Sequence, residues 1–188
     1  MAVTYAQVER ALVATYGVPR EAQGAFRGKL GHLQRQGLLG AHHQPGKGNA
    51  LAYTPDLMHR LLFACEALEF GLSRATVVAL VDVLWSRRIR KIFEVAEKAA
   101  QIDPGPNGDN TGGDIILHMG GVMLMSDAWS KAVPNINSCE LRKLPDHMAM
   151  WMRMTPDEGL PPRALVVNLS MRLRAFHAAM ALFAREVA

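Results

Sequence analysis

The sequence predicts an α+β fold, with a largely helical N-terminal half that includes one hairpin and a smaller mixed module after it. Three observations lead there. Apolar residues recur at helical spacing from Tyr5 to about residue 100, and a Gly/Pro/Asn reversal at 45–49 interrupts them once. A stretch without apolar periodicity, 102–113, then separates this half from a methionine-rich one. The expected organisation is therefore a domain over 1–101, a linker over 102–113 and a small α+β module over 114–188.

Each element follows from local chemistry. Thr4 with Gln7 forms a capping box, and Tyr5, Val8, Leu12 and Tyr16 supply the apolar face of a first helix that Gly17-Val18-Pro19 ends. A second helix runs from Pro19 to about Gln36, with Phe26, Leu30 and Leu33 inward and Gly37 as its C-terminal stop. Two short helices joined by a tight turn read as a helix-turn-helix. Residues 40–52 follow as a β-hairpin whose tip is Pro45-Gly46-Lys47-Gly48-Asn49, which is the wing of a winged helix-turn-helix. Thr54-Pro55-Asp56 starts a third helix carrying Leu57, Leu61, Ala64, Cys65 and Leu68, and Gly71 ends it. Ser73 caps a fourth, which continues through Leu84 and Ile89 towards residue 100. Its charged run (Arg87, Arg88, Arg90, Lys91, Glu94, Glu97, Lys98) reads as a solvated face, with a phosphate patch or a dimer seam as alternatives.

Nine of the eleven methionines lie beyond residue 114, so the second half has a different packing chemistry. Met148, Met150, Met152 and Met154 alternate with Ala149, Trp151 and Arg153, a strand period. Ala164–Val167 predicts a further strand, and Asn168 or Ser170 the cap of a last helix with Leu173, Phe176, Met180 and Phe183 inward. The methionine strand fills a core or, alternatively, lines a pocket for an apolar small-molecule effector.

Charge is distributed unevenly. Residues 1–54 hold six Lys or Arg against two acids, whereas 102–188 hold eight against nine. A basic N-terminal half is what a phosphate-facing surface requires. No run of about 18 uncharged apolar residues predicts a membrane span, and no secretory signal is evident, so a cytoplasmic location is expected. Two cysteines, Cys65 and Cys139, do not make a disulfide framework.

No nucleophile elbow, phosphate loop or paired ligand spacing organises Asp114, His118, Ser126, Asp127, Cys139 and His147, so no catalytic residue and no cofactor is expected. His118 lies in an apolar run and reads as a core histidine, as does His177 in the last helix. Cys139 stands alone in its segment, and no metal is expected either.

From Leu30 to Val81 the chain resembles the MerR family of bacterial transcription regulators. The residues that carry the resemblance are Leu30, Gly37-Leu38-Leu39, Tyr53-Thr54-Pro55-Asp56-Leu57, Arg60-Leu61-Leu62-Phe63, Leu68 and Gly71-Leu72-Ser73, spread over about fifty positions. The resemblance implies a winged helix-turn-helix that binds double-stranded DNA as a homodimer and regulates transcription, with RNA polymerase as a further partner. The family's Arg-Tyr-Tyr at the end of the recognition helix is Gly31-His32-Leu33 here, and its wing arginine is Leu51. Contacts are therefore assigned from helix geometry. Arg20, Gln23, Arg27 and Gln34 recur on one side of the second helix, where Arg can fork onto guanine or phosphate and Gln can pair with adenine. Lys47, with His42 and His43, would touch the neighbouring backbone. Gly24, Gly28 and Gly31 leave a bare stripe that fits either close approach to a duplex or tight helix packing. The alternative function, prompted by the missing Arg-Tyr-Tyr, is a winged-helix interaction adaptor that does not bind DNA.

Overall fold

A computed structural model describes residues 3–40, 52–120, 135–154 and 164–185. The fold is α+β, with seven helices and one three-stranded antiparallel sheet among these residues. The chain forms two compact units, residues 1–90 with 174–188, and residues 91–173. The division thus falls at Arg90 and again at Leu173, not at the 102–113 segment.

The first unit begins with α1 (Tyr5–Thr15), where Thr4 and Gln7 make the expected capping box. Its end is a left-handed stop. Gly17 has φ of +57°, its N–H bonds to the Ala14 carbonyl, and the Val18 N–H reaches the Val13 carbonyl. After a 3₁₀ turn at Arg20–Ala22 comes α2 (Gln23–Arg35), which ends in the same way at Gly37, φ +94°. Val8, Ala11 and Leu12 of α1 and Leu30 and Leu33 of α2 are buried; Phe26 is half-buried, its ring 6.5 Å from that of Tyr16.

Thr54 caps α3 (Pro55–Glu69) with Pro55 at its start. Every residue from Leu61 to Ala67 is buried, so this helix is enclosed on all sides rather than along a single stripe. Its one buried acid, Glu66, accepts a 2.8 Å hydrogen bond from the Tyr16 hydroxyl. Ser73 caps α4 (Arg74–Leu84), which passes into one π-helical turn (Trp85–Ile89). Asp56 fixes that turn to the start of α3, accepting from Trp85 Nε1 at 2.8 Å and from Arg60 Nε at 3.0 Å. The expected solvated charges are exposed at Arg87, Arg88, Arg90, Lys91, Glu94 and Lys98.

The second unit begins at Lys91 within α5 (Arg90–Ala100), which buries Ile92, Phe93, Ala96 and Ala99. The segment 102–113 is folded rather than a plain linker. Asp103 accepts from the Gly105 and Asn110 side, and a 3₁₀ turn occupies Asp109–Gly113. Strands β1 (Ile115–Gly120), β2 (Asn135–Glu140) and β3 (Ala164–Asn168) form a sheet ordered β2-β1-β3. Ile115, Leu117 and Met119 alternate onto one face with Ile136 and Val167, all buried. Asn168 caps α7 (Leu169–Arg185) by accepting from the Met171 N–H.

The strand expected over the methionine-rich segment is overturned. The methionine-rich segment is helix α6 (Leu144–Met154), not a strand. Its alternation set methionine against Ala149 and Trp151, which are themselves apolar, so it never distinguished a wet side from a dry one. Pro145 and Asp146 in the first turn, followed by strong helix formers, decide the matter. The expected hairpin over 40–52 lies, apart from its ends, outside the described residues. Among the described residues no helix is long and apolar enough to cross a membrane.

Candidate functional site

At 100° per residue, Arg20, Gly24, Arg27, Gly28, Gly31 and Arg35 fall on one arc of the α2 segment. Arg20, Gly24, Arg27, Gly28 and Arg35 are exposed, and Gly31 is half-buried. A Cβ added at Gly24 or Gly28 would meet no atom within 4 Å, and at Gly31 only the Arg35 guanidinium at 3.6 Å. Among the described residues, then, this stripe is open surface and not a helix-packing seam. Helix α2 contains no Asp or Glu. Among the described residues no hydrogen bond or ion pair occupies the side chains of Arg20 and Arg35.

Of the residues assigned from sequence, the structure separates those on this arc from those used internally. Arg20 and Arg27 are on the surface, but Arg27 Nε is paired with Glu9 of α1. Gln23 is half-buried and its Nε2 donates to the Val18 carbonyl at 3.4 Å, closing the turn before α2. Gln34 is also half-buried, accepting from the Tyr53 hydroxyl at 3.1 Å. Both glutamines sit at the border of the apolar face, so their expected outward placement is corrected. His42, His43 and Lys47 lie outside the described residues. Arg35 was missed, although its spacing of four from Gly31 and seven from Gly28 signals the same arc.

Tyr53 and Tyr5 stand beside this helix with ring centroids 5.9 Å apart. Burial, more than their neighbours' charges, pushes both phenols up to about 12. The Tyr53 N–H also bonds to the Val3 carbonyl, tying the returning chain to the start of α1.

A second grouping lies in the other unit. His118 on β1, Cys139 on β2 and His147 on α6 bring one donor atom each to within 4.8 Å of one another. His118 is 2% exposed and its ring is 5.6 Å from that of His147. Burial, with His147 adding to it, pushes the His118 imidazole down to about 4. Burial, with Glu140 adding to it, pushes the Cys139 thiol up. No short motif links these three residues, which is why sequence spacing did not reveal them.

Compared with known proteins, the chain matches no family model, no curated protein and no solved structure.

Proposed function

We propose that this chain is a sequence-specific DNA-binding transcription regulator, a MerR-like winged helix-turn-helix acting in the cytoplasm as a homodimer. The observation that carries the reading is the arc of exposed Gly24 and Gly28 with half-buried Gly31, flanked by Arg20, Arg27 and Arg35 on a helix without acids. A major groove admits a helix, and residues without side chains let its backbone come close while arginines fork onto phosphate or guanine at the rim. The α1–turn–α2 order, with α2 anchored by Leu30 and Leu33, supports the same reading. A homodimer doubles the contacts and matches a palindromic site.

The adaptor alternative draws on one specific observation: Gln23, Gln34 and Arg27 are all engaged within the protein. Fluorescence anisotropy of the full chain with double-stranded DNA, at low and moderate salt, separates the two. A regulator shows affinity falling steeply with salt, and loss of Arg20 and Arg35 together lowers the log–log slope by roughly 2. Binding to no duplex at low salt would sink the regulator reading in favour of the adaptor.

A further inference from the structure

We infer that His118, Cys139 and His147 form a binding site for a divalent transition metal of the zinc class. The three come from separate elements. In the β1–β2 register Ile116 faces Cys139 and His118 faces Asn137, so His118 and Cys139 are diagonal neighbours on the sheet face that also carries the buried Ile116. His147, in the first turns of α6, brings its ring to that face.

The chain has seven histidines and two cysteines, yet two of the former and one of the latter converge with donor atoms within 4.8 Å. Apolar packing gives no reason for that selection. His118 and Cys139 are both buried, at 2% and 7% exposure, which keeps bulk water from competing for the ion. A tetrahedral zinc ion with bonds of about 2.0 Å to nitrogen and 2.3 Å to sulfur holds two nitrogens and one sulfur roughly 3.3–3.5 Å apart. The site thus closes with a contraction of about an ångström. The strand positions stay fixed while the half-buried His147 side chain turns inward.

Two imidazoles and one thiolate select zinc, cobalt or copper over magnesium and calcium, which need oxygen donors. Binding replaces the Cys139 S–H bond by a metal–sulfur bond and releases that proton to solvent. Three protein donors leave a fourth position for water or an external ligand, and the ion would clamp α6 to the β1–β2 ladder.

The test is a Co²⁺ titration of the full, untagged, chelator-treated chain, followed by absorption, with Zn²⁺ in competition. One ion per chain is expected, with a thiolate-to-cobalt charge-transfer band and the intense visible bands of tetrahedral coordination, all displaced by Zn²⁺. Cys139→Ser should remove the charge-transfer band, and His147→Gln should weaken binding by about 100-fold or more. His147→Gln affects a half-buried residue, so its circular dichroism serves as the folding control should Cys139→Ser not fold. Absence of binding at about 100 μM ion overturns the inference, since ligand sites of this class bind far more tightly. A spectrum without the charge-transfer band, or unchanged affinity in a folded His147→Gln, overturns it equally.

Discussion

Glu9 controls how much of Arg27 is available to a phosphate. Its carboxylate is largely covered while the guanidinium is half exposed, so the pair is a surface interaction of roughly 0.2–1 kcal/mol. Glu9→Gln should therefore cost little stability and raise affinity for duplex DNA by up to about fivefold, which is 1 kcal/mol in equilibrium terms. Anisotropy and thermal melting of the same variant check both halves, and an affinity that drops would show that Glu9 orients Arg27 for contact. Tyr5 and Tyr53 give a second prediction at this scale. Their phenols are raised from 10.0 to about 12, so between those values the unfolded chain has lost protons that the folded chain keeps. The stability these two phenols contribute is accordingly full below about pH 10 and is lost as pH rises towards 12. An absorbance titration should show Tyr5 and Tyr53 ionising late, together with a falling midpoint in urea. Ionisation of Tyr5 and Tyr53 near pH 10 would contradict the burial of this pair.

At the level of elements, Gly24 and Gly28 stand inside α2 with open space where a Cβ would go. Glycine within a helix is disfavoured relative to alanine by about 0.5–1 kcal/mol. Each Gly→Ala should thus raise stability by that amount, seen as a higher midpoint on heating. If α2 lies against a duplex, the same changes should weaken DNA binding, an opposition that a solvated helix would not produce. The helix boundaries themselves were legible in the sequence because caps and stops are written in single residues: Thr4, Thr54 and Ser73 cap as expected, and Gly17, Gly37 and Gly71 end their helices with positive φ. Less local features were not legible. β2 reads Asn-Ile-Asn-Ser-Cys-Glu, poor in strand formers, and exists because β1 pairs with it along all six residues. The α6 alternation misled because period alone was weighed without the polarity of the alternate side. Gln23 and Gln34 misled differently, since angular position on a helix does not say whether a border residue turns to water or to a backbone carbonyl. The His118–Cys139–His147 grouping depends on strand register, which no local pattern encodes.

For the whole molecule, the decisive fact is that residues 174–188 belong to the same compact unit as residues 1–90. The Gly/Pro/Asn segment at 102–113 reads as a boundary that leaves the C-terminal helix with the second half, and no local signal shows where a distant helix returns. The consequence is that the N-terminal unit should not reach full stability by itself. Phe176 is 1% exposed and Ala179 is also buried, on the part of α7 that completes this unit. Phe176→Ala should lower stability by about 3–5 kcal/mol, the range for removing a large aromatic side chain from a core. A fragment of residues 1–101 removes the whole covering segment, so it should melt well below the full chain and bind a dye that reports exposed apolar surface. Its affinity for DNA would then fall through partial unfolding even though Arg20, Arg27 and Arg35 are all present, and lowering the temperature should restore it. A fragment that melts with the full chain, without dye binding, would mean that α7 contributes nothing to this core and that 1–101 is the independent unit after all.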